Sequence, residues 1–410
     1  MDHVYKKFKS ILRLRNKGLM LICLTGLSCA DKNIHLELSE GTAFQKNTIV
    51  RLKLPNKLKK HPFRLMEKNP KGKFEIPYQI EEDYLYWMSG VEPSQYTLDT
   101  KTPSKQDHIK MIEQGGQLEV FQGNTKIVGY QMALKKSPKG VSKAYNRSGY
   151  LHPINTPSGK RLTRIQPQDH YHHYGIWNPW THTLFDGDTL DFWNLDKMEG
   201  TVRFAKLLEE NSGPVFSTFK VLHEHVVLKN ENEKVALNET QKIRIFPINK
   251  DQYLMDITIK YECATAQPFK IIKYRYGGFG WRTTEEWDNQ NSRVLSSEGK
   301  TRKNADGSTA RWCIVEGQLG KEGYGGGLML SHPENFNHPE PLRVWPENQY
   351  GRGDLFVNFA TTKTTDWTLN PGKIYTLRYQ LLIYDGKMET TSADALWDQF
   401  VHPTTYRIKP

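Results

Sequence analysis

The chain has 410 residues, 11% of them aromatic with ten Trp and twenty Tyr, and alanine-rich stretches of helical period are scarce. That length can bury a sizeable core, and that composition excludes a helix bundle and favours an all-β protein. The formal net charge is +12, but six Lys/Arg and one Asp fall within residues 1–28 and leave +7 over the rest, too thin for the basic stripe of a nucleic-acid binder and suited to steering an anionic substrate.

Residues 1–28 read as a lipoprotein signal peptide. Lys6, Lys7, Lys9, Arg13, Arg15 and Lys17 precede an apolar run from Leu19 to Leu27, and Leu27-Ser28-Cys29 closes it with small residues before a cysteine. Cys29 is then the lipidated N-terminus, the membrane is met only through that anchor, and the address is the cell envelope, on the outer membrane or in the periplasm. Gly26 stands where a lipobox prefers Leu, so a cleaved, unlipidated secretory signal is the alternative. No other apolar run approaches the roughly 18 residues a membrane span needs.

From residue 33 to 137 short alternating runs (IHLEL, TIVRLKL, FRLME, QLEVFQ, KIVGYQMAL) are broken by turn residues, and predict a small N-terminal β-sandwich over 29–140. Lys135 to Gly140 reads as a linker. Beyond it VFSTFKVLHEHVVL, QKIRIF, YLMDITIKYECA, GGGLMLSH and KIYTLRYQLLIYDG predict a larger antiparallel β-sandwich over 141–410, for which a mutarotase-like form is one option. SADALWDQFV alone reads as helix, with Ser392 as N-cap. Cys263 and Cys313 lack metal-ligand spacing; a disulfide and two buried thiols both fit.

Three segments are dense in chemistry-bearing residues. DHYHHYGIWNPW holds His170, His172 and His173, and with His152 and His182 nearby five of the fourteen histidines gather here. In an extended strand His170, His172 and Tyr174 would share one face and His173 the other, so the three imidazoles converge only if the turn signalled by Gly175, Asn178 and Pro179 re-aims one of them. Such a cluster can work as acid and base, can bind a divalent metal, or can simply cap loops. Trp177, Asp191 and Trp193 follow; indole faces with a carboxylate suit a pyranose, and core packing is the plainer reading. KYRYGGFGWRTTEEWD brings Arg275 and Arg282 around glycines, as a carboxylate grip or as a bulge with surface ion pairs. LSHPENFNHPEPLRVW sets His332, Asn335 and Arg343 in a loop just past a strand end, a common place for function.

The succession DHYHHYGIWNPW, GDTLDFW, YGGFGWR, ARW, LSHPENFNHPEPLRVW and YQLLIYDG, over residues 145 to 390, resembles the bacterial domain family labelled "methane oxygenase PmoA-like". The oxygenase subunit behind that label is a multi-span membrane protein, which this pattern of short strands is not. Some members resemble an oligosaccharide dehydratase of ulvan-degrading Bacteroidetes, and the family usually has His-Arg-Gly where this chain has His173-Tyr174-Gly175.

The resemblance implies a hydro-lyase acting on uronic-acid oligosaccharides. Such a reaction needs a base, an acid for the leaving hydroxyl and cations facing the carboxylate. His170, His172, His173 and Tyr174 are the candidates for proton transfer. Trp177, Asp191, Trp193, Arg275, Arg282, His332, Asn335 and Arg343 are those for binding. No cofactor is required by this reading, and a divalent metal is compatible with it. The alternatives are a non-catalytic glycan-binding lipoprotein, a glycoside hydrolase using two of Asp169, Asp186, Asp188 and Asp191, and a sugar epimerase drawing on Glu285 or Glu286.

Overall fold

The computed structural model describes residues 33–229 and 233–410, so the signal peptide and Cys29 lie outside the described residues. It is all-β apart from a helix at Thr390–Val401 and two single turns, as composition and alternation predict.

The first sheet has eight strands, in the order Gly72–Glu75, Arg64–Asn69, Gln95–Asp99, Asn33–Leu38, Thr405–Ile408, Ile49–Lys53, Tyr84–Met88 and Gln79–Glu81. Alternation decides which side is dry: Val50, Leu52, Leu85, Trp87, Tyr96 and Leu98 turn inward and are buried. The strand at the far end of the chain sits in the middle of this sheet, antiparallel to Asn33–Leu38 and parallel to Ile49–Lys53, and Tyr406 joins its core.

Most of the remaining strands build a larger sandwich, and four short ones, Asp188–Leu190, Thr183–Phe185, Phe269–Ile271 and Trp367–Leu369, form a small sheet of their own. One wall is a nine-stranded sheet that includes Thr125–Gln131, Tyr150–Ile154, Ile176–Trp177, Phe279–Arg282 and Phe356–Phe359. The other has eight strands, among them the long Gly200–Ser212, Ser217–Val227, Lys234–Asn249 and Gln252–Cys263. Val120, Ile127, Ile154 and Trp281 from the first wall share one core with Val221, Ile243, Ile257 and Leu381 from the second. The helix covers the outer face of the second wall, where Trp312, Leu328 and Leu330 meet Ala393, Leu396 and Trp397. That is why Trp312–Leu319 and Gly323–Ser331 read as nearly continuous buried runs.

Two expectations need correction, and one left open is decided. The sheets do not divide the chain at residue 140: Gln117–Gln122 and Thr125–Gln131 pair with each other and then with Tyr150–Ile154, in the larger sandwich. Alternation identifies a strand and its dry face but not its partner. The helix starts earlier than Ser392, with Glu389 at the N-cap position. Cys263 and Cys313 are both free thiols.

Candidate functional site

The segment after Gln166 folds as a pair of turns, not a strand. The amide of His170 donates to the Pro167 carbonyl at 2.9 Å and that of His173 to the His170 carbonyl at 3.0 Å, which brings the three imidazoles round to one side. Gly175 ends the turn with φ at +57°, and a Cβ there would meet the Leu151 carbonyl at 2.2 Å, so only glycine fits. The chain then enters Ile176–Trp177, which pairs with Phe279–Arg282 and sets Arg282 close to the histidine turn.

One nitrogen from each of His170, His172 and His173 lies within 4.8 Å of the other two. His173 is 2% exposed and packs on Trp177 and Phe356, each at 5.0 Å between ring centres. Its Nδ1 has no hydrogen-bond partner. Arg282 is fully buried beneath the Trp345 ring, 4.5 Å away, and donates through Nη2 to Asp169 Oδ2 at 2.7 Å; Asp354 stands 3.9 Å off. The same Asp169 oxygen accepts from His170 Nδ1 at 3.0 Å, and Tyr350 bonds the opposite nitrogen of that ring at 3.1 Å.

Electrostatics follow from that packing. Burial, with His170 and nearby guanidiniums adding repulsion, pushes His172 down to about 3, and burial takes His173 well below the usual imidazole range. Both rings are neutral at physiological pH. Burial opposes ionisation of Asp169, but bonds from His170 and Arg282 outweigh it and hold the carboxyl well below the usual range. Burial and Arg164 lower Arg282 to about 10, and it keeps its charge at neutral pH.

His172 also lines a cleft of about 420 Å³, with Tyr145, His182, Asp191, Asn194, Tyr274 and Tyr276. His182 stacks on Tyr274 at 4.0 Å, and Tyr276 donates its hydroxyl to Asn194 Oδ1 at 3.0 Å. Asp191 faces this cleft but is engaged by the loop itself, accepting from the amides of Trp193 at 2.7 Å and Asn194 at 2.9 Å. The exposed guanidinium of Arg275 lies over the Tyr274 and Tyr276 rings.

The structure thus gathers His170, His172, His173 and Arg282 around Trp177 and Trp193, with Asp191 at the adjoining cleft and Arg275 over two of its tyrosine rings; both indoles are buried in a core cluster and offer no face to a sugar, so the plainer reading of them holds. Four expected residues are elsewhere. Tyr174 is buried, donating its hydroxyl to the Tyr145 carbonyl beneath Arg147. His332 packs edge-on against Phe400 of the helix. Asn335 ties Glu340 to the Arg378 carbonyl, each at 2.9 Å. Arg343 points outward and pairs with Asp306 at 2.7 Å. Nor does Arg282 present its fork to a ligand, because it is sealed in; the accessible cations are Lys197 in the cleft lining and Arg275 beside it.

Sequence reasoning passed over Trp345 and Tyr350, which no local pattern ties to residue 170. The Tyr274-Arg275-Tyr276 alternation could have marked the cleft wall. A second polar centre was also legible, in the His-Glu-His of strand Ser217–Val227, whose period puts His223 and His225 on one face. They flank the buried Glu239, at 3.2 and 2.9 Å.

The model of a family described as a family of unknown function, DUF6807, matches residues 117–398. None of the curated proteins matches. Solved structures that overlay the chain include a mutant of the heparan sulfate lyase HepC from Pedobacter heparinus, at TM-score 0.34 and 10% identity over 71% of this chain and 38% of that one. A heparinase III overlays at TM-score 0.33 and 12% identity, over 74% and 40%. The chain spans about two-fifths of the length of these structures. At such scores neither overlay bears on the site.

Proposed function

The chain belongs to DUF6807, a family without an assigned function, so the site itself has to speak, and we propose that this is a carbohydrate-active lyase that removes water from uronic-acid-containing oligosaccharides. The observation that carries this reading is the junction at His172: an imidazole cluster, backed by a buried guanidinium, opens onto a cleft walled by tyrosine rings, an amide, Lys197 and the carboxylates of Asp191, Asp196 and Glu199.

Each wall suits part of such a substrate. Ring faces of Tyr274 and Tyr276 pack against sugar C–H groups, and Asn194 with Asp196 meets hydroxyls. Lys197 in the lining and Arg275, which lies over the Tyr274 and Tyr276 rings, supply the positive charge that a uronate seeks. In the elimination the proton beside the carboxylate passes to an imidazole lining the cleft, the C–H electron pair forms a ring double bond, and the neighbouring C–O bond breaks so that hydroxide departs and takes that same proton from the imidazolium as water. Charge builds on the carboxylate side, where Arg275 stabilises it by contact and Arg282 by its field alone. Ulvan fragments are the first substrate to try, on the resemblance of residues 145 to 390.

The test is incubation with uronate oligosaccharides from several polymers, followed by mass spectrometry. A product lighter by one water, absorbing in the ultraviolet through its new double bond, is expected. His172→Ala should lower turnover about a hundredfold or more while oligosaccharide binding by calorimetry persists. No dehydrated product from any polymer overturns the proposal, and binding without turnover in the natural chain would identify a glycan-binding protein instead.

A further inference from the structure

A cluster of three imidazoles is more than a set of proton carriers when the rings are aimed at one another. Zinc–nitrogen bonds of about 2.0–2.1 Å hold ligand nitrogens roughly 3.3–3.4 Å apart. The nitrogens of His170, His172 and His173 already lie within 4.8 Å of one another, so modest tilts of three rings in a turn would close them round an ion.

Three further observations bear on that geometry. Asp169 accepts from Nδ1 of His170, which fixes the proton there and presents Nε2, the carboxylate–histidine arrangement that orients metal ligands. Nε2 is met at 3.1 Å by the Tyr350 hydroxyl, a group able to swing aside. His173 is 98% buried by its 2% exposure, and its Nδ1 is unpartnered in a wall of Trp177, Trp345 and Phe356. An orphaned ring nitrogen in such surroundings is costly unless something completes it. Among the described residues the His172 side chain has ring neighbours but no hydrogen-bond partner, and it reaches the cleft. The Arg282 charge opposes a cation, and Asp169 at 2.7 Å with Asp354 at 3.9 Å offsets it.

We infer that His170, His172 and His173 bind one divalent transition-metal ion of the zinc class, beside the cleft that His172 lines. Three imidazoles select zinc, cobalt, nickel or copper over magnesium and calcium, which prefer oxygen. The idea deepens the proposed activity, since an ion here would take an oxygen of the uronate, but metal binding itself does not depend on that activity.

The experiment uses the full chain without a histidine tag, stripped by chelator and re-equilibrated with zinc or cobalt. Metal content is measured by mass spectrometry, affinity by calorimetry, and coordination by the visible spectrum of the cobalt form. One equivalent is expected, with an intense low-symmetry cobalt spectrum. His170→Ala and His172→Ala, checked for folding by circular dichroism, should each weaken binding at least about tenfold, and His402→Ala, at an exposed helix end, should not. Binding well short of one equivalent by folded protein, or unchanged binding in the two variants, overturns the inference. Metal bound without dehydration of any substrate would sink the activity and keep the site; dehydration by protein that takes up no metal on re-equilibration would do the reverse.

Discussion

A single carboxylate oxygen, Oδ2 of Asp169, organises the histidine turn: it accepts from Arg282 at 2.7 Å and from His170 at 3.0 Å, and so joins a buried cation to the loop that carries the imidazoles. Asp169→Asn would leave a fully buried guanidinium with only the more distant Asp354 carboxylate. Loss of one partner of a buried pair costs about 3–5 kcal/mol, and the 22% exposure of Asp169 together with Asp354 reduces this to roughly 2–4 kcal/mol, to be read from urea denaturation. A variant as stable as the parent would show that Arg282 is held by its ring stacking alone. At this scale the sequence was informative where neighbours in the chain are neighbours in space. His170, His172 and His173 stand together because Gly175 lets a turn do what a strand would not. Asp169 was visible only as a possible hydrolase carboxylate, since its partner is over a hundred residues away. Arg343 and Asn335 sit in equally dense segments, yet one serves a surface ion pair and the other a buried carboxylate. Density marks a polar neighbourhood without saying which side of the sheet it serves.

Among elements, the long strands of the larger sandwich were the most legible, because Gln252–Cys263 alternates buried and half-exposed positions along most of its length. Thr405–Ile408 was not: four residues beside Pro403 and Pro410 offer too little pattern. Yet Tyr406 packs at 5.2 Å on Trp87 and 5.3 Å on Tyr96, in the centre of the first sheet's core. Tyr406→Ala removes a ring that is 6% exposed and should cost about 3–5 kcal/mol, followed by guanidinium denaturation with tryptophan fluorescence. The same substitution should leave the visible cobalt spectrum unchanged, because the three histidines belong to the larger sandwich and Tyr406 to the first sheet's core.

Across the whole molecule, the two walls of the larger sandwich are joined by a polar thread as well as by apolar packing. Tyr130 of the first wall bonds His223 of the second, and His223 and His225 both bond Glu239, which also receives Asn178 at 3.4 Å. Burial works against the Glu239 charge, but the two histidines outweigh it and hold its carboxyl at about 2, below the ordinary value of about 4.3. A carboxyl lowered on folding contributes stability that is whole above its unfolded pKa and is lost as pH falls through its folded one. Glu239→Gln should therefore be less stable than the parent by about 3 kcal/mol at neutral pH, with the gap closing between pH 4.3 and about 2. Thermal unfolding across that range checks it, and a pH-independent gap would assign the loss to packing. The placement of Thr405–Ile408 between Asn33–Leu38 and Ile49–Lys53 has a further consequence for biogenesis. A chain made from its N-terminus leaves the ribosome with the opening sheet still split down the middle, and the gap is filled only once residues 405–408 have been made. Until then two raw strand edges are available to chaperones or to another nascent copy.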